Sequence, residues 1–337
     1  FINLMGGGSP CTDLSFAGKG TGLLFNSLED YLELRNEYLK TENESLYYHN
    51  GKFQESVLFW EYLRILKELQ GINPDIVFLL ENVRMKMDQQ KIINDALGLF
   101  PVAINSNLVS AQNRYRLYWS NIKTKQTDLF GTLSTGIEQP NDRGILLKDI
   151  LQPENEIDEK YYIKNPKLGF EGMAIEGKSN TLRTGGKATQ SEKHNYDIIK
   201  IDKSGSIKAD QNKAGCLTAG GNSGGNHSDM DIICVAQRGR NIVNGKRKDY
   251  NGAPTEQRLE PNTEGKTNCL TTVSKDNLIT NGYSLRRLTP IECARLQTVP
   301  SWYEWIVSDT QIYKMLGNGW TVEQIMHILE DLNNRFN

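Results

Sequence analysis

The stretch DIVFLLENV, residues 75–83, decides the fold class of this chain of 337 residues. Its apolar residues are almost uninterrupted, as expected for a strand of a parallel sheet that is buried on both faces. A helix pattern follows at 88–98, and strand patterns follow at 101–109 and 114–122. Strand and helix alternate at the spacing of βαβ units, so we expect an α/β domain with a parallel sheet.

Further elements are predicted on both sides of this stretch. Residues 1–8 are typical of a short strand, and residues 23–53 of a polar, partly helical surface insertion. From position 289 onward, the segments TPIECARLQ and TVEQIMHILEDL predict two amphipathic helices. Residues 56–69 have helical periodicity, which predicts one apolar face made of Leu58, Tyr62, Ile65, Leu66 and Leu69.

Charge is distributed unevenly along the chain. The whole sequence has 39 Lys and Arg against 41 Asp and Glu, a net charge of −2. Residues 160–289 alone carry 21 Lys and Arg against 13 Asp and Glu, a net charge of +8, and the remainder carries −10. A basic block inside an acidic frame indicates a local surface that binds a polyanion.

Several protein classes are excluded by composition. No run of about 18 apolar residues is present, so no membrane span is predicted, and no signal segment opens the chain. The cysteines are odd in number and lack CxxC spacing, which argues against a disulfide framework and a zinc site and favours a reducing compartment. They are Cys11, Cys216, Cys234, Cys269 and Cys293. The four histidines are dispersed as well, so no metal site is expected.

The segment GGGSPC, residues 6–11, follows the first predicted strand. In open α/β sheets, ligands bind at the carboxyl ends of the strands, which is where this Pro-Cys pair would lie. A cysteine becomes a strong nucleophile once its surroundings lower the pKa of its thiol. The pattern alone does not choose between a nucleophilic Cys11 and a buried structural cysteine.

Polar side chains on two other strands point to the same sheet edge. Glu81 ends the central strand, where it is either a helix-capping residue or a catalytic hydrogen-bonding group. In SAQNRYRLYWSN, residues 110–121, alternation predicts that Gln112, Arg114 and Arg116 leave one face of a strand together. These three are either a solvated sheet edge or a clamp for an anion or a base.

Five segments, in this order, resemble motifs of the DNA cytosine-5 methyltransferases: GGGSPCTDLSFAGKG, FLLENVRMK, SAQNRYRLYWSN, RRLTPIECARLQTVPSWY and MLGNGWTVEQI. The resemblance covers about 1–122 and 285–330. It implies an α/β, Rossmann-like sheet that binds S-adenosylmethionine, with an inserted, mostly β target-recognition domain. The implied domains are a catalytic domain at 1–145, a DNA-binding target-recognition domain at 146–284, and a return to the catalytic domain at 285–337.

The resemblance implies a role for each residue of the central motifs. Cys11 would be the nucleophile that adds to C6 of cytosine, and Glu81 would hydrogen-bond the N3/N4 edge of the base. Arg116 would contact the base and help to position Glu81. Gln112 and Arg114 would support this cluster and the nearby backbone.

The resemblance also implies contacts to the methyl donor, S-adenosylmethionine, and no metal. Asn318 and Thr321 of GNGWTV are candidate cofactor contacts, together with Pro10. Trp320 is either part of that site or a core aromatic residue. Asn82 is expected to hold the Pro-Cys loop together.

The implied reaction explains why these groups are needed. Addition at C6 converts the cytosine ring into an enamine whose C5 can attack a sulfonium methyl group, and loss of the C5 proton then expels the enzyme. The ring cannot be reached inside a duplex, so the base must be flipped out at a cost of a few kcal/mol. The loop at 15–22 is expected to close over the base; an ordinary flexible loop is the alternative.

Double-stranded DNA is the implied partner of the basic, Gly-rich region. Lys and Arg supply sequence-independent affinity for phosphates, whereas base edges are read by a few loop side chains. Three segments, 177–199, 212–234 and 265–279, resemble one another, which is compatible with several DNA targets. For each candidate contact, a solvated surface residue is the alternative. The candidates are Arg183, Thr184, Lys187, Thr218, Asn222, Arg238, Arg240, Thr271, Thr272 and Lys275.

One family feature has no match in the chain: the Phe-x-Gly-x-Gly strand and loop for the cofactor, with its acidic partner. We therefore expect an N-terminally truncated, phage-type member whose first strands are missing and which is inactive alone. Two functions stay open. The first is a monomeric, cytoplasmic DNA cytosine-5 methyltransferase of a bacterial or phage-infected cell, with a cognate restriction endonuclease as candidate partner and no membrane contact. The second is a DNA-binding module completed by a separate cofactor-binding polypeptide.

Overall fold

A computed structural model describes residues 3–10, 13–14, 22–49, 52–162, 200–201, 207–208, 233–243, 246–248, 256–262, 264–272, 277–280 and 285–336. The chain forms two compact units. Unit 1 comprises 1–105, 115–140 and 325–337, and unit 2 comprises 106–114 and 141–324. The predicted domain bounds stay a prediction; in the structure, the residues from 285 to 324 belong to the same unit as the region that precedes them.

The helices occupy both units. The α-helices are α1 (Leu28–Thr41), α2 (Val57–Ile72), α3 (Met87–Leu97), α4 (Leu147–Ile150), α5 (Pro290–Leu296), α6 (Asp309–Asn318) and α7 (Val322–Phe336). Short 3-10 helices lie at Glu44–Tyr47, Ser106–Leu108, Glu154–Glu156 and Glu159–Tyr161. Among the helices described here, none combines the length and the apolar composition that crossing a membrane requires.

The strands divide between the units. Unit 1 contains β1 (Leu4–Gly8), β2 (Tyr48–His49), β3 (Lys52–Phe53), β4 (Val77–Val83), β5 (Val102–Asn105), β6 (Tyr115–Ser120), β7 (Thr124–Gln126) and β8 (Leu133–Thr135). Unit 2 contains β9 (Lys200–Ile201), β10 (Ile207–Lys208), β11 (Ile233–Arg240), β12 (Ile242–Val243), β13 (Lys246–Arg247), β14 (Glu256–Asn262), β15 (Leu278–Thr280) and β16 (Leu285–Arg287).

The sheet of unit 1 that carries the candidate site has the strand order β1-β4-β6-β5. β1 pairs with β4 in parallel, but β6 is antiparallel to both β4 and β5. The prediction of a parallel sheet is therefore wrong at β6. The link at 106–114 is shorter than the dozen or so residues that a crossover between parallel strands needs, so β6 returns beside β5 in the opposite direction.

The predicted burial of the central strand is confirmed, because β4 is buried from Val77 to Asn82. The predicted apolar face of α2 is partly wrong. Leu58 and Ile65 are 45% and 37% exposed, whereas Phe59 and Trp60 are fully buried. Aromatic side chains bury the largest areas, so the face of α2 that contains Phe59 and Trp60 packs into the core. The spacing of the aliphatic residues predicts a different face.

The insertion predicted at 23–53 is partly helical, as expected. Its helix α1 begins after the N-cap Ser27, whose Oγ accepts a hydrogen bond from the backbone N–H of Asp30 at 3.1 Å. The hydroxyl of Tyr31 donates to Glu61 Oε2 of α2 at 2.6 Å. The insertion therefore packs on α2, within unit 1.

Unit 2 contains an antiparallel sheet with the order β14-β11-β15-β16, followed by the predicted helix α5. The sequence Thr-Pro-Ile-Glu begins this helix with a capping box: Thr289 Oγ1 accepts from the N–H of Glu292, and Glu292 Oε2 accepts from the N–H of Thr289. Glu292 also forms a bidentate ion pair with Arg286 at 2.8 and 2.9 Å. These contacts tie the start of α5 to the end of the sheet.

Candidate functional site

The carboxyl ends of β1 and β4 lie side by side. Gly8 is opposite Glu81 in the parallel register, so the chain leaves β1 toward Pro10 beside the candidate acid. Asn82 Nδ2 donates to Ser9 Oγ at 2.8 Å, which confirms the prediction that Asn82 holds this loop. Cys11 lies outside the described residues, and its assignment as the nucleophile stays a prediction.

Glu81 and Arg116 form an ion pair across β4 and β6. Arg116 Nε lies 2.8 Å from Glu81 Oε1, and the two side chains are only 13% and 11% exposed. Arg116 Nη1 also donates to the carbonyl of Tyr115 at 2.9 Å, which fixes the plane of the guanidinium. A shielded pair with this geometry orients the carboxylate, because the guanidinium presents its donors in a rigid fork.

The loop after the Pro-Cys pair is closed at its base. The carbonyl of Asp13 accepts from the N–H of Gly22 at 2.9 Å, and Asp13 Oδ2 accepts from the N–H of Ser56 at 2.9 Å. Gln89 Oε1 of α3 accepts from the N–H of Leu23 at 2.6 Å. Gly22 has φ of +78°, which favours glycine. The sequence analysis did not identify Asp13 or Gln89. For Asp13, the available signal was an acidic residue two positions after the Pro-Cys pair.

Gln112 and Arg114 lie in unit 2, before β6 begins at Tyr115, so the prediction of one shared strand face is wrong. Gln112 Oε1 accepts from the N–H of Leu270 at 3.0 Å. Arg114 is 4% exposed and donates to the Gly319 carbonyl at 2.8 Å and to that of Gly317 at 3.4 Å. Of these three residues, Arg116 shares unit 1 with Glu81 and pairs with it; the catalytic roles of Gln112 and Arg114 stay predictions.

The candidate cofactor segment GNGWTV is anchored by buried polar contacts. The hydroxyls of Thr321 and Ser106 lie 2.8 Å apart, and Thr321 Oγ1 donates to Gln297 Oε1 at 3.0 Å. Gln297 Nε2 donates to the carbonyls of Leu316 and Gly319. Because Thr321 is 1% exposed, its hydroxyl serves this network. Sequence reasoning missed Gln297, although it ends the quoted segment TPIECARLQ.

Asn318, by contrast, is exposed at the end of α6. Its amide carries donors and an acceptor that a polar ligand can use. Of the two predicted cofactor contacts in this segment, Asn318 therefore fits direct contact, and Thr321 fits the support of the turn.

The described cysteines outside the Pro-Cys loop are structural. Burial raises the pKa of the Cys234 thiol to about 12 and also raises the pKa of Cys293. Both thiols are therefore protonated at neutral pH, where a thiolate is needed for nucleophilic attack. Cys269 is partly buried, and its Sγ accepts a hydrogen bond from Arg114 Nη1 at 3.2 Å.

The predicted DNA contacts are only partly described. Arg238 of β11 pairs with Glu260 Oε2 of β14 at 3.2 Å, and the backbone of Arg240 ends β11. Thr271 and Thr272 are exposed beside the buried Leu270. The remaining candidates lie outside the described residues: Arg183, Thr184, Lys187, Thr218, Asn222 and Lys275.

Known sequences give the context for this geometry. The family profile described as C-5 cytosine-specific DNA methylase matches residues 48–334. An orphan methyltransferase of Bacillus phage SPbeta is 22% identical over 384 residues, which cover 98% of this chain and 83% of the relative. A type II methyltransferase of Haemophilus parainfluenzae is 26% identical over 307 residues, with coverage of 85% and 68%. The solved structure of an Entamoeba histolytica methyltransferase aligns with 99% of this chain and 78% of its own at 12% identity, with a TM-score of 0.45.

Proposed function

This chain belongs to the C-5 cytosine-specific DNA methylase family, and we propose that it methylates C5 of a cytosine flipped out of duplex DNA, with S-adenosylmethionine as donor. The observation that carries the proposal is the shielded Glu81–Arg116 ion pair. It lies at the end of β4, beside the strand that leads to the Pro-Cys loop. A clamp for a base edge is thus adjacent to the strand that leads to the candidate nucleophile.

The chain's own groups have separate tasks in this reaction. The sulfur of Cys11 forms a bond to C6, and electron density moves toward C5 and N3 of the ring. Glu81 hydrogen-bonds the N3/N4 edge, where charge develops, and Arg116 holds the carboxylate in position. After the methyl group has been transferred to C5, loss of the C5 proton restores the double bond and releases Cys11.

The cofactor fits the described residues in part. S-adenosylmethionine, when bound, supplies the methyl group as part of a sulfonium. The exposed amide of Asn318 is available to contact it. The adjacent turn is held by hydrogen bonds of Thr321, Gln297 and Arg114. These side chains therefore support the turn and are not assigned to direct contact with the cofactor. Pro10 is proposed to border the cofactor from the Pro-Cys loop.

Exchange of hydrogen at C5 tests the addition step separately from methyl transfer. Unmethylated DNA of mixed sequence is labelled with tritium at cytosine C5 and incubated with the chain, with and without S-adenosylmethionine. After addition at C6 and protonation at C5, the adduct can lose tritium from C5 to water as Cys11 leaves and the C5=C6 double bond is restored, so tritium is released even without the donor. With the donor, the proposed function predicts that tritium release is matched by 5-methylcytosine, measured by mass spectrometry of the nucleosides, whereas the inactivity expected from the missing Phe-x-Gly-x-Gly segment predicts neither.

Two cysteine variants make this experiment specific. Cys11→Ser should abolish both tritium release and methylation, because a serine hydroxyl is far less nucleophilic than a thiolate. Cys269→Ala, which changes a partly buried cysteine, should retain both. Tritium release that survives Cys11→Ser would overturn the assignment of the nucleophile. DNA binding without either reaction, restored by a second polypeptide that binds the donor, would favour the DNA-binding module.

A further inference from the structure

A cavity of about 400 Å³ in unit 2 is not used by the proposed reaction. It lies between the 3-10 helix Glu159–Tyr161, the end of β16 and the start of α6. Three of its lining residues are cationic, Lys160, Arg287 and Lys314, and only one, Asp309, is anionic. An excess of positive charge in a concave surface favours an anionic ligand.

The single carboxylate of the cavity is already compensated. Lys160 Nζ lies 3.0 Å from Asp309 Oδ2, and the hydroxyl of Tyr161 donates to the same oxygen at 2.8 Å. The hydrogen bond from Lys160, followed by that from Tyr161, lowers the pKa of Asp309. This carboxylate is therefore ionised at neutral pH, and its charge is balanced by that of Lys160.

Arg287 and Lys314 remain as a cationic pair. Within the part of the chain that the structure describes, neither forms an ion pair. Alternation along β16 explains the position of Arg287: Arg286 is 4% exposed and bound to Glu292, so the next side chain leaves the opposite, exposed face. Lys314 is exposed on α6. Two positive charges at one cavity repel each other, and an anion that binds between them offsets this repulsion.

We propose that this cavity binds a backbone phosphate of duplex DNA, with Arg287 and Lys314 as its cationic contacts. The inference rests on the proposed action on duplex DNA and adds a place where the duplex is held. The guanidinium offers two parallel donors to phosphate oxygens, and the ammonium adds a point charge. Thr272, an exposed residue of the cavity lining, brings a hydroxyl donor. The volume accommodates a sugar-phosphate unit.

The salt dependence of DNA binding tests this assignment. The 337-residue chain is titrated against a fluorescent duplex of mixed sequence over a range of NaCl concentrations, with anisotropy as the readout. Each phosphate contact contributes about 0.9 to the slope of log K against log salt. Because the proposed site holds one phosphate, the double variant Arg287→Gln with Lys314→Gln should lower the magnitude of the slope by about 0.9 and weaken binding on the order of 10-fold at 50 mM salt.

Two further variants control for general electrostatics. Lys67→Gln with Lys125→Gln removes the same charge from exposed positions of unit 1 and should leave the slope unchanged. Asp309→Asn removes the acidic residue among the described lining residues and the nearer of the two carboxylates beside Lys160, so it should tighten DNA binding.

The outcomes separate this inference from the proposed function. An unchanged slope in the Arg287/Lys314 variant, or an equal decrease in the Lys67/Lys125 control, overturns the phosphate site, whereas tritium release and methylation decide the reaction independently. The site would also be overturned if poly-glutamate bound as tightly as duplex DNA and its binding also depended on Arg287 and Lys314. That result would favour an acidic protein partner. A wild-type chain that binds no duplex would overturn the site as well.

Discussion

Arg114 and Arg116 stand two positions apart in the chain, yet they lie in different compact units. Arg116 orients the candidate catalytic carboxylate of Glu81. Arg114 instead donates to the carbonyls of Gly317 and Gly319, beside the candidate cofactor residue Asn318. The two arginines thus have different places in the proposed reaction, because a guanidinium can bind a carboxylate or bridge several carbonyls with its five donors.

Replacing each arginine by lysine separates these tasks. Arg116→Lys should lower kcat about 100-fold, since a displacement of about 1 Å near a reacting group has that effect, with little change in the Kd for S-adenosylmethionine. Arg114→Lys should raise that Kd and lower the free energy of unfolding by about 1–3 kcal/mol, because buried carbonyls lose their donors. Steady-state kinetics, calorimetry and urea denaturation measure these quantities. Equal effects of both variants on kcat and Kd would contradict the separation.

The reactivity of the cysteines provides a second prediction for single residues. Burial raises the pKa of Cys234 and of Cys293, so both are neutral thiols near pH 8. Iodoacetamide reacts with the thiolate, and we therefore expect mass spectrometry of the native chain to find both unmodified while Cys269 is alkylated. After unfolding in urea all three should react. Native alkylation of Cys234 at the rate of Cys269 would contradict the burial.

At the scale of elements, the end of α6 depends on a close backbone contact. A Cβ at Gly317 would lie 2.7 Å from the carbonyl carbon of Thr271 and 2.9 Å from the backbone nitrogen of Thr272. Both neighbours are backbone atoms, which cannot move as the tip of a side chain can. Glycine is therefore required at this position, the first of the GNGWTV segment, where α6 approaches the residues after Leu270.

Two glycine-to-alanine variants test this contact. Gly317→Ala should destabilise unit 2 by about 1–3 kcal/mol, since overpacking outweighs the helix propensity that alanine adds. Gly71→Ala, in α2, has no atom within 4 Å of the new Cβ and should stabilise the chain by about 0.5–1 kcal/mol. Thermal or urea denaturation gives both values. Stabilisation by Gly317→Ala would show that the backbone contact is absent.

At the scale of the whole molecule, the chain passes between its units several times. It leaves unit 1 at residue 106, re-enters at 115, leaves again at 141, and returns at 325 within α7. In unit 1, Ile328 of α7 is fully buried, and His327 Nε2 lies 3.0 Å from the Glu138 carbonyl. The last turns of the chain therefore complete the unit that contains β1 and β4.

The packing of α7 in unit 1 predicts how two of its residues contribute to stability. Ile328→Ala should lower the free energy of unfolding by about 2–5 kcal/mol, because it leaves a cavity in a core. Met326→Ala, two positions away and 61% exposed, should change it by less than about 0.5 kcal/mol. Urea denaturation followed by tryptophan fluorescence, to which the buried Trp60 and Trp119 of unit 1 contribute, measures both variants. Equal effects of the two variants would contradict the packing of α7.

Much of this molecule follows from local patterns in the sequence. The apolar run at 77–82 predicts a buried strand, the segment TPIECARLQ predicts a helix, and the ordered motifs predict the methylase family, all of which the findings confirm. Period, capping chemistry and motif order are properties of neighbours along the chain, so they can be read without coordinates.

Tertiary structure alone decided which residues meet. The direction of β6, the exposed positions of Leu58 and Ile65, and the separation of Arg114 from Arg116 all depend on contacts between residues far apart in the chain. Strand alternation describes one strand at a time and carries no information about where the strand begins or which partner it pairs with. Pairing and burial are set by the packing of the whole unit, which for Glu81 produced the ion pair that the proposed reaction uses.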